Sequence, residues 1–271
     1  MKKKIVAFLA CLLVVATVMP ALASFETDAA IPKFGKFKYD NVKTYDTALP
    51  KNGAKTTAKK IAAMFNQFSY ILPGKGNTPY MYSLSFTRVK KGNYIDASVY
   101  QEWYGKNASY IEIRDLVNPA GTDCLIISET KTSQTTYGWK KGAAQGWKIT
   151  EKKMGGGAGK TPKATLYKLY KDATVAGQKC MVYSYYIKAN KTTYYEYVSK
   201  KTGWRMKSLA VHDSGLISGF IDFSVKFVSK PSSFFKPPAK VTFTKPAWSG
   251  DGYKAPAMRD SVLDHPVWDA L

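Results

Sequence analysis

The chain has 271 residues, with 41 Lys and Arg against 19 Asp and Glu, and a formal net charge of +22. A hydrophobic content of 45% and an aromatic content of 14% exclude a disordered chain. Two His and three Cys argue against a His-rich metal centre and against a disulfide scaffold. The basic excess raises a nucleic-acid partner as the first question.

Residues 1–23, MKKKIVAFLACLLVVATVMPALA, have the form of a secretory signal peptide. Lys2, Lys3 and Lys4 make the positive start, Ile5 to Met19 an uncharged apolar run, and Ala21-Leu22-Ala23 a small-x-small cleavage pattern. Cleavage is expected after Ala23, which removes the leader's three lysines and leaves a strongly basic exported chain, periplasmic, extracellular or in the cell envelope. Export argues against nucleic acid as a partner. So does the kind of charge, because only Arg88, Arg114, Arg205 and Arg259 are Arg. Arg is the preferred fork for bases and phosphates, whereas Lys is a hydrated point charge. An anionic membrane surface or envelope polymer fits this charge better.

Residues 24–53 show no clean period and read as an extended N-terminal lead-in. Residues 54–70 have the helical period, with Ile61, Met64, Phe65 and Phe68 at i, i+3, i+4 and i+7. Pro73-Gly74 stops that helix. From residue 80 the period becomes two: Tyr82, Leu84 and Phe86 alternate with Ser83, Ser85 and Thr87. Strands are then expected over 97–104, 109–115, 123–130 and 135–140, with 147–153 a further candidate. A Gly-rich loop follows at 155–161, and a short helix is expected over 162–171, with Leu166, Leu169 and Tyr170 on one side. A second strand series covers 179–188, 192–199, 204–211 and 217–228. Residues 245–271 read as a C-terminal tail. Helix, meander, helix, meander without βαβ alternation predicts an α+β chain dominated by one large antiparallel sheet.

Catalytic signatures are weak. Met154 to Thr161 resembles a phosphate loop, but Met154 stands where the first glycine is required. His212-Asp213-Ser214 sets triad residue types side by side on a hairpin turn, where they cannot converge on one atom. No His, Cys and carboxylate set has metal-ligand spacing, no carboxylate pair stands out, and no cofactor is implied. The expectation is a protein that is not an enzyme, with a secreted hydrolase as a remote alternative. Cys124 and Cys180 both lie in expected strands, either as a disulfide or as buried thiols. The dense strand aromatics suit either a filled core or an apolar cavity under a helical lid.

Several stretches carry a resemblance. Glu102-Trp103-Tyr104-Gly105-Lys106-Asn107 resembles a strand-end L-W-x-K-R-P pattern, and Ile126-Ile127-Ser128-Glu129-Thr130-Lys131-Thr132 resembles L-V-S-D-G-K-T. Phe235-Lys236-Pro237-Pro238-Ala239 resembles a late F-x-P-P-x-G segment. In this order they resemble the LolA-type periplasmic carriers of outer-membrane lipoproteins and the wider lipoprotein-sorting superfamily, over residues 54–244. The resemblance implies an incomplete, strongly curved antiparallel β-barrel with a helical lid. It implies a non-catalytic carrier or chaperone, read as a monomer, holding the acyl chains of a lipoprotein or lipid. The cavity residues would be Tyr82, Leu84, Phe86, Trp103, Ile111, Ile113 and Ile126, the lid residues Ile61, Met64, Phe65 and Phe68. The family's lid-latching Arg falls on Lys106. An envelope sensor that binds a partner protein through the same fold is the alternative.

Overall fold

The structure, a computed structural model, describes residues 31–65, 78–89, 93–152 and 162–246. The leader, Phe68, the Gly-rich loop over 155–161 and nearly all of the 245–271 tail lie outside the described residues. Residues Pro32–Leu271 form one unit, described here by itself. Its elements begin with a 3₁₀ turn at Phe34–Lys36, helix α1 (Tyr39–Tyr45), strand β1 (Ala54–Lys55) and helix α2 (Ala58–Phe65). The first meander is β2 (Thr78–Val89), β3 (Tyr94–Tyr104), β4 (Ala108–Asp115), β5 (Asp123–Glu129), β6 (Ser133–Lys140) and β7 (Gln145–Lys152). The second is β8 (Ala164–Leu169), β9 (Ala173–Val175), β10 (Gln178–Ile187), β11 (Thr192–Ser199), β12 (Arg205–His212) and β13 (Leu216–Val228). A 3₁₀ turn at Ser232–Phe235 and β14 (Thr242–Thr244) follow. Among the described residues no helix is long and apolar enough to cross a membrane.

All strands join one sheet in the order β1-β8-β10-β11-β12-β13-β2-β3-β4-β5-β6-β7-β14, with β9 on β10. The sheet is open, compatible with an incomplete curved barrel. The meanders meet where β13 runs antiparallel along β2, from Leu216↔Val89 to Val228↔Thr78. Among the described residues only β14 is parallel, against β7.

Each expected strand is found. Two segments differ from expectation. The lead-in contains the Phe34–Lys36 turn and α1, whose start is fixed by Asn41 Oδ1 accepting the Lys38 N–H at 2.8 Å. Residues 162–171 are not a helix: they supply strand β8. Leu166 there has a left-handed φ of 54°, and the β8–β10 register shifts between Ser184 and Tyr186. One inserted residue converts period two into apolar spacings that imitate a helix.

Side chains alternate across the sheet, so the registers sort residues onto two faces. One run of partners is Tyr183, Glu196, Ser208, Phe220, Ser85 and Ser98. Farther along β3 that face continues through Glu102, Ile111, Leu125, Gly138 and Trp147. α2 packs on it, so it is called the α2 face. The opposite run is Lys207, Ile221, Leu84, Val99 and Arg114. Residues 32–47 cover this side, the N-segment face.

The N-segment is held by aromatic stacking and by long polar side chains reaching up from the strands. Phe37 stacks on Phe223 with centroids 5.7 Å apart, and Tyr45 meets the same ring at 4.7 Å. Arg114 donates to the Phe34 and Phe37 carbonyls at 2.6 and 3.2 Å. Lys207, itself buried, donates to Thr47 Oγ1 at 2.6 Å and to the Tyr45 carbonyl. Asp46 pairs with Arg88 and accepts the Tyr94 hydroxyl at 2.9 Å.

Trp147 lies flat over Gly138, where an added Cβ would fall 2.3 Å from the indole ring. Gly138→Ala is expected to cost about 1–3 kcal/mol by overpacking. A denaturant midpoint equal to the parent's would show that Trp147 moves aside freely.

Candidate functional site

Thr57 caps the start of α2, its Oγ1 accepting the Lys60 N–H at 3.3 Å. Its apolar positions Ile61, Ala62 and Phe65 are buried on one stripe, with Met64 half-buried beside them. They meet Met181, Tyr183, Tyr185 and Ile187 of β10 and Val198 of β11. Phe65 stands edge-on to Tyr183 with centroids 5.9 Å apart, and Tyr185 stacks on Tyr194 at 5.2 Å. An eight-residue helix is marginal in water by itself, so α2 owes its order to this surface.

The Tyr185 hydroxyl donates to Glu196 Oε1 at 3.2 Å, and Arg205 lies 3.8 Å from that oxygen. Burial first, and then the Glu196 charge, push the Tyr183 and Tyr185 phenols above the ordinary range. Both stay protonated, and the surface under α2 presents rings without new charge.

Beyond Glu196 the same face carries the buried polar side chains Ser208, Ser98, Ser83, Glu102 and Asp222, with Phe220 and the buried Met81 among them. Asp222 accepts the Trp204 Nε1–H at 2.9 Å, and Glu102 accepts the Tyr104 hydroxyl. Farther on it turns apolar again at Ile111, Leu125 and Ile127, flanked by Tyr100, Ile113 and Trp147. The face is thus apolar at its two sides and mixed between them.

The seven expected cavity residues do not share a face. Ile111 and Ile113 lie on the α2 face. Tyr82, Leu84, Phe86, Trp103 and Ile126 lie on the opposite one. There Tyr82 donates its hydroxyl to the Pro32 carbonyl at 2.7 Å and packs on Phe223 and Phe34. Trp103 stacks on Tyr110 and meets Phe234 edge-on. Ile61, Met64 and Phe65 do belong to one helix on one apolar surface. That surface is formed by β10 and β11, strands the sequence reading did not assign to the site. The available signal was the period-two row Met181, Tyr183, Tyr185, Ile187. Lys106 sits exposed in the β3–β4 turn, and β12, β13 and β2 separate β3 from β11 in the sheet.

Catalytic constellations gain little. His212 Nδ1 accepts the Ser214 N–H at 3.1 Å and lies 2.7 Å from Ser214 Oγ, in an exposed turn. Asp213 instead accepts the Tyr186 hydroxyl at 3.0 Å, so no relay forms. Among the described residues no three His, Cys, Asp or Glu side chains gather as a metal site.

The disulfide alternative is corrected. Cys124 and Cys180 are free, buried thiols on β5 and β10, with six strands between them in the sheet. Burial pushes the Cys180 thiol up to about 12. The folded chain therefore keeps a proton that the unfolded chain releases near the ordinary thiol value of 9.0. That stabilisation is complete below pH 9 and is lost as the pH rises toward 12. Both thiols are expected to resist iodoacetamide at pH 8 until denaturant is added. Rapid labelling of the native chain would contradict the burial.

No protein-family model matches this chain, and no curated protein does. Solved structures do resemble it. MucB matches over 68% of this chain at 14% identity and a TM-score of 0.40, and this chain spans 63% of the MucB chain's length. A DUF1329 family protein from Desulfovibrio piger ATCC 29098 matches over 66% of this chain and 95% of its own, at 10% identity and TM-score 0.29. An outer membrane lipoprotein-sorting protein domain from Vibrio parahaemolyticus matches over 66% and 97%, at 10% identity and TM-score 0.26. At TM-scores below 0.5 these are distant likenesses, and the chemistry of the site has to be taken from this chain's own residues.

Proposed function

We propose that this chain is an exported, non-catalytic binding protein of the cell envelope. It holds the acyl chains of a lipid or lipoprotein against the α2 face. The observation that carries this reading is the seat of α2: Ile61, Ala62 and Phe65 on Met181, Tyr183, Tyr185, Ile187 and Val198. A short helix that depends on one apolar surface competes for it with any other apolar chain. Burying an acyl chain is worth about 0.8 kcal/mol per CH₂ in the ideal case. A moderate length of chain therefore outweighs the contacts of eight helical residues. α2 acts as an internal stand-in for the ligand and returns when the ligand leaves. The motif resemblance to lipoprotein carriers points the same way, with Lys106 in the position of the latch.

The test is native mass spectrometry of protein purified from its own envelope, with titration by a fluorescent fatty acid. Copurified acyl species, displaced by the probe, are the expected result. A protein that is always empty and leaves the probe unbound would sink the reading.

A further inference from the structure

Among the described residues the charges of this sheet are not balanced alike at its two ends. Register fixes which turns share an end. Glu129 pairs with Gln134, Ser133 with Lys152, Tyr104 with Ser109, and Cys180 with Ser199. The β3–β4, β5–β6 and β11–β12 turns, the end of β7 and the start of β10 therefore lie together. They carry Lys106, Lys131, Lys152, Lys179, Lys200 and Lys201. Against these stand Glu129, Glu151 and Asp172. Asp172 is shared, 2.6 Å from Lys200 and 3.5 Å from Lys179. Among the described residues no ion pair is formed by Lys106, Lys131, Lys152 or Lys201, and all four are exposed.

The other end is nearer to balance among the described residues, and Lys163 and Lys240 lie there. Lys188 and Lys191 are joined there by Lys140 and Lys141, which are paired with Asp123 and Glu112. Asp96, Asp115 and Asp213 add further negative charge. Among the described residues the sheet therefore has a basic end and a near-neutral end.

We infer that the basic end is a docking rim for an anionic lipid surface. The cations sit on short turns and strand ends distributed from β10 to β7, across ten neighbouring strands. They are all Lys, compact point charges without a bidentate fork. The three described Arg are engaged within the fold: Arg88 with Asp46, Arg114 with backbone carbonyls, and Arg205 with Glu196 and the Phe220 ring. A wide row of separate ammonium groups fits the diffuse field of an anionic leaflet. It does not fit one phosphate, which needs convergent donors, or bases, which need exposed stacking rings. The inference rests on register and charge and does not require the acyl reading.

The test is sedimentation of the purified chain with vesicles of phosphatidylglycerol mixed into phosphatidylcholine, and with phosphatidylcholine alone. The chain should bind only the anionic vesicles, and added salt should weaken binding. Replacing Lys131, Lys152 and Lys201 by Gln should weaken it on the order of a hundredfold. A control with Lys36, Lys43 and Lys51 replaced by Gln removes the same charge and should lose only several-fold. Equal losses in both variants would overturn the inference, because generic charge would then suffice. So would indifference to the anionic vesicles, or retention on an acidic polysaccharide alone. Fatty-acid titration of the rim variant reports the acyl site separately and should be unchanged.

Discussion

Phe65→Ala should bind a fluorescent fatty acid about tenfold or more tightly than the parent chain. Phe65 is almost fully buried and edge-on to Tyr183, so its truncation costs about 3–5 kcal/mol of packing. Most of that loss is expected in the docking of α2 and not in the sheet, because α2 is short, and the strands beneath it keep their ladders. The free chain then spends more time with Met181, Tyr183 and Tyr185 uncovered. A ligand that needs this surface no longer has to displace a well-seated helix. Hydrogen exchange should show faster opening over 58–65 with β10 still protected. A variant that melts early and binds no better would mean that α2 is a fixed wall.

Phe37→Ala should lower global stability by about 3–5 kcal/mol. Phe37 is fully buried between Tyr45 and Phe223, and its carbonyl is one of the two that Arg114 holds. Removing the ring takes away the centre of the N-segment's contact with the sheet. Tyr45 and Phe223 then lose their shared ring partner. Chemical denaturation measures the loss, and limited proteolysis should cut first between residues 32 and 47. A loss below about 1 kcal/mol would mean that the segment is laid on loosely and that its polar anchors hold it. Fatty-acid affinity should not change, because this ring is on the face away from α2.

That last contrast marks where the sequence could be read and where it could not. The alternation Tyr82, Leu84, Phe86 against Ser83 and Ser85 fixes a strand, and the strand is there. It invites the further step that the apolar set faces the ligand. Both faces of this sheet are covered, so apolar character does not say which side is which. Ser83, wholly buried, lies on the α2 face with Ile111. Strand partners fix the parity, and partners are long-range facts: Tyr183 reaches Ser98 only through Glu196, Ser208, Phe220 and Ser85. The helix period of Ile61, Met64 and Phe65 was legible because it is local. Residues 162–171 misled for an equally local reason, since the bulge at Leu166 leaves Leu166, Leu169 and Tyr170 at helical spacing. α1 was hidden because seven residues offer too few turns to show a period.

The junction of β13 with β2 also bears on how the chain comes to be folded. Thr87 and Ser218, whose hydroxyls meet at 3.2 Å across that junction, are 131 residues apart. Each meander assembles from neighbours in sequence, a fast and local process. Joining them requires closing a very long loop, which is entropically costly and slow. Until it closes, β2 and β13 are both open edges, each able to pair with another molecule. A chain made from its N-terminus presents β2 first and must wait for residues 216–228 to arrive. The interval between those events is the time in which a newly made molecule is most exposed to aggregation, and it is set by topology and not by final stability.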